Sequence, residues 1–269
     1  MSYERAAQNV ARGFLRFIAP CPCLACGFEM ENPRAAGLCD SCAALLRRPS
    51  GTPCTGCGRC LHGKVSSPAR CGECRKSPPA WSCLFYAWVY EPPLDAVIMA
   101  MKFRRLDYLA TRLGQELAVA IEKAGFLSTP PGPSPPDCVV PVPLHWTRRL
   151  TRGYDQADLI AGALADRIDL PRVRALRRTR RTSAQSLGDR AERSRNLRGA
   201  FSCRRSLEGR TVLLVDDVLT TGATLTAAAR ALRQGGAGRV LAATVARTPR
   251  PEETAPPPAA GPCSKNKSG

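Results

Sequence analysis

The sequence predicts an α/β protein: a parallel sheet flanked by helices, preceded by a small module held together by metal. Three observations predict it. Apolar runs of strand length, such as residues 212–215, carry no polar alternation, as in parallel strands covered on both faces. Segments with helical apolar spacing separate these runs, giving a strand–helix order. Four Cys-x-x-Cys pairs crowd the first third of the chain, which is poor in apolar runs.

Residues 1–20 carry Glu4, Arg5, Arg12 and Arg16 without an uninterrupted apolar core, so they do not read as a secretory signal. The cysteines behind them therefore read as thiolates in a reducing cytoplasm, not as a disulfide scaffold. Cys23 and Cys26 are followed by Cys39 and Cys42; Cys54 and Cys57 are followed by Cys71 and Cys74. Each set supplies four thiolates, which suits a closed tetrahedral zinc site, and two structural zinc ions are expected. Gly27, Gly58 and Gly72 fit the tight turns of metal knuckles. His62 reads as a loop residue beside the second set. The module is assigned to residues 1–79, with its metal-binding core at about 20–76, and Ser77-Pro78-Pro79 marks its end.

From Trp81 the composition changes. Residues 84–90 read as a strand, and 94–103 and 109–122 as helices. Residues 128–136 form a Pro-rich surface insertion. Residues 138–143 are the next strand and 157–168 a helix, leading into an Arg-rich loop over 172–210. After the strand at 212–215 come a helix over 223–234 and a last strand at 240–245. This second unit covers residues 80–247, and 248–269 read as a disordered tail. No transmembrane span is present.

The densest chemistry follows residues 212–215. Ligands in open α/β sheets bind beyond the carboxyl ends of such strands, and Asp216 and Asp217 stand there. Thr220, Thr221 and Thr224 offer hydroxyls, and Gly222 lets the backbone curl so that N–H groups converge on an anion. The helix beginning at Ala223 points its positive end at the same spot. Carboxylates for sugar hydroxyls beside a phosphate cradle imply a phosphorylated ribose. A nucleotidase Walker B strand would also fit, but it needs a P-loop. The only candidate, residues 58–64, has Val65 where magnesium needs Ser or Thr.

This run resembles the phosphoribosyl pyrophosphate (PRPP) loop of type I phosphoribosyltransferases. The resemblance implies that Asp216 and Asp217, as catalytic residues, hold the ribose hydroxyls. It assigns Val218, Thr220, Thr221, Gly222, Ala223 and Thr224 to PRPP binding. Over about residues 20–247 the whole chain resembles the ComF family of bacterial competence-type proteins, a double zinc ribbon fused to a type I phosphoribosyltransferase domain. The motifs that carry this are Met101-Lys102-Phe103, Val-Pro-Val-Pro-Leu at 140–144, Arg152-Gly153-Tyr154, Gln185, Arg193-Ser194-Arg195-Asn196 and Gly199-Ala200-Phe201. The family usually has Asn at the position of Asp155 and Leu at that of Gly188.

The resemblance further implies a hood loop that closes over PRPP and excludes water. Lys102, Arg148, Arg149, Arg152, Gln185 and Arg193 would surround the pyrophosphate. The expected chemistry is displacement at C1 of PRPP, with magnesium as cofactor and an unidentified acceptor. His145 reads first as a loop histidine. The family also implies the handling of single-stranded DNA during natural transformation. A formal net charge of +18, from 40 Lys and Arg against 22 acidic residues, suits a polyanion. The rival reading is therefore a non-catalytic single-stranded-DNA-binding protein, with DNA-uptake proteins as partners and the PRPP loop as a sensor or vestige. An aromatic content of 6% offers few stacking platforms for it.

Overall fold

The computed structural model describes residues 21–30, 36–61, 69–125, 135–144, 153–179, 197, 199–250 and 253. Arg148, Arg149, Arg152, Gln185 and Arg193 lie outside them, as do His62, His145 and most of the Pro-rich insertion and of the tail.

The described residues begin with one small unit used twice. β1 (Cys21–Pro22) and β2 (Glu29–Met30) pair antiparallel around a turn bearing Cys23 and Cys26, and Cys39 precedes α1 (Asp40–Ala44), which contains Cys42. β3 (Thr52–Pro53) and β4 (Cys60–Leu61) repeat the hairpin around Cys54 and Cys57, and Cys71 precedes α2 (Gly72–Lys76), which contains Cys74. Gly27 and Gly58 have φ of 73° and 72°, a region that favours glycine. Gly72 differs from the sequence expectation: it opens α2 and has no positive φ.

Next come β5 (Leu84–Val89), α3 (Leu94–Phe103), α4 (Asp107–Lys123), β6 (Cys138–Pro141) and α5 (Gln156–Arg167). The antiparallel pair β7 (Leu176–Arg178) and β8 (Phe201–Cys203) follows, then β9 (Thr211–Leu219), α6 (Ala223–Gln234) and β10 (Arg239–Arg247). β5, β10, β9 and β6 form one parallel sheet in that order. Leu213, Val215, Leu241 and Ala243 enter a core with Val97, Ile98, Leu113, Leu117, Ile160 and Leu164 of α3–α5. Val212, Leu214, Val240 and Ala242 face the other way, onto Leu225, Ala228 and Leu232 of α6 and Phe201 of β8. Successive strand residues face opposite sides, so an unbroken apolar run is what a sheet covered on both faces requires. Truncating one of these buried leucines to alanine costs about 2–5 kcal/mol.

β7 and β8 fall inside the stretch read as a continuous Arg-rich loop. Leu176 and Phe201 are buried there, and the Arg178 guanidinium lies 5.3 Å from the Phe201 ring centroid. Two strands of 3 residues each are too short to show an alternation in sequence.

β5 lies at the edge of the sheet, and the cysteine-rich module covers it. The Leu84 N–H donates to Thr55 O and the Val89 N–H to Arg47 O, both at 2.8 Å. Met30, Leu38, Cys39 and Cys42 of the first unit join the α3–α5 core. The second unit is held by three hydrogen bonds of 2.7 Å: Trp81 Nε1 to Gly56 O, Tyr86 Oη to Gly58 O, and Arg247 Nε to Cys57 O. Past β10, the Thr248 N–H donates to Leu219 O at 2.8 Å and Arg250 pairs with Glu73 of α2. The first residues of the segment read as tail therefore belong to the packed structure. No described helix is long and apolar enough to cross a membrane.

Candidate functional site

The Sγ atoms of Cys23, Cys26, Cys39 and Cys42 all lie within 4.8 Å of one another, as do those of Cys54, Cys57, Cys71 and Cys74. The Cys26–Cys39 and Cys57–Cys71 sulfurs are each 3.7 Å apart. Four sulfurs about 2.3 Å from one tetrahedral zinc ion stand roughly 3.8 Å apart, so both sets fit a closed structural site. The hairpin and the helix start arrange this locally: the Cys39 N–H donates to Cys23 Sγ at 3.3 Å and the Cys71 N–H to Cys54 Sγ at 3.2 Å. Burial pushes the Cys42 and Cys74 thiols up, and neighbouring sulfurs add to it. Burial also opposes ionisation of Cys23 and Cys54, but backbone N–H groups outweigh it and bring them down to about 6 and about 7. Both sets can hold zinc.

At the other site, β9 runs further than expected. Its pairing with β10 continues to Leu219, whereas its pairing with β6 stops at Val215, opposite Pro141. Asp216 and Asp217 thus lie within the strand, not beyond it, where the ladder with β6 has ended. The alternation of faces also changes here. Val215 belongs to the α3–α5 core and Leu214 to the α6 side, whereas Val218 packs on the first and Leu219 on the second. The two carboxylates sit where the strand switches face.

Lys102, in the last turn of α3, places Nζ 2.8 Å from Asp217 Oδ2. The sequence reading puts Lys102 at the pyrophosphate; the structure pairs it with a carboxylate of the same site. Asp216 Oδ1 accepts the Asp217 N–H at 2.9 Å, and Asp217 Oδ1 accepts the Val218 N–H at 2.6 Å. Asp216 retains some exposed surface, yet its carboxyl is desolvated. Desolvation first, then the Asp217 charge, push it up to about 8, with Lys102 pulling the other way and Asp155 adding to the rise.

Asp155 was missed as a site neighbour. Its Oδ1 caps α5, accepting the Asp158 N–H at 3.4 Å, and its Oδ2 accepts the Leu144 N–H at 2.9 Å. One side chain thereby ties the segment after β6 to the start of α5. Asp and Asn both serve as N-caps, but only a carboxylate offers a second oxygen for the Leu144 N–H. A capping residue just ahead of the helix spacing was the available signal.

The turn after β9 leads straight into α6. Gly222 has φ 78° and is the N-cap of α6 without offering a side chain to it. Thr221 Oγ1 accepts the Ala223 N–H at 3.4 Å. Thr220 is exposed, and Thr221, Gly222, Ala223 and Thr224 are partly exposed. Helices α1–α5 each carry an acidic residue in the first turn (Asp40, Glu73, Asp95, Asp107 and Asp158), and α6 carries none. A positive helix end without a carboxylate of its own suits an external anion. β7 and β8 pair within the Arg-rich stretch, and the Thr179 N–H donates to Ala200 O at 2.9 Å beside them.

A parallel sheet with an acidic pair on a central strand, followed by a glycine-opened helix, is the architecture of a phosphoribosyltransferase domain, and the phosphoribosyl transferase domain family matches residues 156–259. The DNA utilization protein YhgH of Escherichia coli (strain K12) is 33% identical over 213 residues, covering 79% of this chain and 91% of that one. Competence protein F of Haemophilus influenzae is 31% identical over 215 residues, covering 78% and 90%. Among solved structures, glutamine PRPP amidotransferase from B. subtilis is 23% identical with a TM-score of 0.33, covering 50% of this chain and 25% of that one. With its two four-cysteine sets and this domain, the chain belongs to the ComF family.

Proposed function

We propose that the protein binds PRPP at residues 216–224 and transfers its phosphoribosyl group to an acceptor, in the cytoplasm, in a process tied to DNA uptake. The observation that carries this reading is the meeting of two unlike half-sites: the Asp216–Asp217 pair and the acid-free N-terminus of α6. Asp216 and Asp217 would take the ribose hydroxyls. Thr220, Thr221 and Thr224, with the N–H groups of Gly222 and Ala223 at the turn, would take the 5′-phosphate. Lys102 would exchange its contact with Asp217 for one shared with the pyrophosphate. Arg177 and Arg178, at the base of the hood, would lead Gln185 and Arg193 over it, and Arg148, Arg149 and Arg152 would close the other side. Oxygen donors beside a polyphosphate suit magnesium, which when bound neutralises charge on the leaving pyrophosphate. The protein's own part is positioning, water exclusion and charge stabilisation. A reducing compartment would keep the eight clustered thiols available for zinc.

A second reading has its own support. The +18 net charge and the names of the E. coli and H. influenzae relatives favour a single-stranded-DNA-binding protein whose PRPP site senses a metabolite. Calorimetric titration of PRPP and magnesium into wild type and into D216N/D217N separates the two. Saturable binding that the double variant loses is the expected result, and pyrophosphate release with candidate bases and amines then identifies the acceptor. Absence of binding by folded, zinc-loaded wild type overturns the transferase reading.

A further inference from the structure

We propose that Trp81 is a positioning residue that ties the second cysteine cluster to the phosphate-binding turn, so that metal in the cluster and PRPP at the turn stabilise each other. The proposal rests on the PRPP reading of residues 216–224. Trp81 follows the last cysteine of the cluster and precedes β5, and it is only 5% exposed. At one end its Nε1 donates to Gly56 O at 2.7 Å. Gly56 lies between Cys54 and Cys57 and packs against the cluster: a Cβ there would stand 2.8 Å from Cys74 Sγ. At its other end, Trp81 Cη2 would stand 3.2 Å from a Cβ placed on Gly222, the left-handed residue that opens α6. Trp81 also shares a buried cluster with Leu219 and Leu225, which bracket the turn. One rigid indole therefore spans the distance from a thiolate knuckle to the turn that would cradle phosphate. Arg233 of α6 fastens the same segment a second time, its Nε donating to Ala80 O at 3.2 Å.

The physical consequence is reciprocity. The Gly222 turn keeps its shape only while something fills the space beneath it, and the indole is held there by a carbonyl that the cysteine turn presents. Losing the metal frees Gly56 and hence the indole; filling the turn holds the indole and hence Gly56. Two sites that bias one shared element change each other's affinity by the same factor, typically about 5–150-fold. A tryptophan that merely filled core would lower stability when replaced, but it would not transmit ligand binding to a cysteine cluster.

The test reads both directions. Full-length zinc-loaded protein is alkylated with iodoacetamide, with and without PRPP and magnesium, and Cys54 and Cys74 are followed by mass spectrometry. Cys23 and Cys39 of the first cluster serve as internal controls. PRPP is expected to slow alkylation of the second cluster by about 5-fold or more and to leave the first unchanged. In Trp81→Phe, with both zinc ions retained by metal analysis, that protection disappears and PRPP binds about 5-fold or more weakly. Wild type that binds PRPP without protecting Cys54 and Cys74 overturns the proposal without recourse to any variant. So does a Trp81→Phe protein that binds and protects as wild type does. Wild type that binds no PRPP overturns the reading of the turn itself, and the positioning role with it.

Discussion

At the scale of single residues, Asp216 has the surroundings with the clearest consequence. Its carboxyl, held at about 8 by desolvation and the Asp217 charge, is mostly protonated at neutral pH in the free protein. On unfolding it returns to the ordinary value of about 3.9. The folded state thus binds the extra proton between about pH 4 and 8, and stability should fall as pH rises through that window and level off above it. Melting temperatures of the PRPP-free protein, taken from pH 5 to 9, should show this slope in wild type and a shallower one in D216N; parallel slopes would remove the desolvated acid from the account. Ligand groups that favour the ionised form should release close to one proton at pH 7, readable as a buffer-dependent heat of binding. The acidic pair was legible in the sequence because it ends an apolar run. Its partners were legible only singly: Lys102 stands in a motif of the family and Asp155 ahead of a helix, but their approach to the acidic pair comes from the packing of α3 and α5 against the sheet, which no local pattern encodes.

At the scale of elements, the sheet strands and large helices were legible because each is long enough to show a period or an unbroken apolar run. Three features were not. β7 and β8 are too short, at 3 residues each. The extension of β9 through Asp216 and Asp217 is held by backbone pairing with β10, which an apolar count does not register. The cover over the β5 edge comes from carbonyls of Thr55 and Arg47 in loops that sequence reads only as spacers between cysteines. That cover makes metal removal a test of the sheet as well as of the ribbons. Met30, Leu38, Cys39 and Cys42 share a core with α3–α5, so losing zinc exposes the sheet edge and opens that core together. Stripping zinc with a chelator should lower the melting temperature of the whole protein in one transition. An unchanged high-temperature transition would show instead that the sheet stands without the cysteine module.

At the scale of the whole molecule, a net charge of +18 has to be reconciled with a proposed ligand site built around two carboxylates. The two properties obey different laws. Contacts with nucleic-acid phosphates release counterions, so the logarithm of single-strand affinity falls with the logarithm of salt at about −0.7 per phosphate contacted. PRPP with magnesium, on the proposed reading, offers one phosphate and one partly neutralised pyrophosphate, so its affinity should fall with salt less steeply than that of an oligonucleotide that contacts many phosphates. The large exposed aromatic side chains among the described residues are Phe28, Phe103 and Tyr108, and any base stacked on one of them would add a contribution that salt does not weaken. An oligonucleotide titrated between about 50 and 200 mM salt should therefore lose affinity steeply and equally in wild type and D216N/D217N. If PRPP displaces the oligonucleotide, the pyrophosphate and the DNA backbone use one set of cations, and the Arg-rich hood belongs to both. If the two bind together, the excess positive charge lies away from the β9 turn, and the enzyme-like site and the polyanion surface are separate devices on one fold.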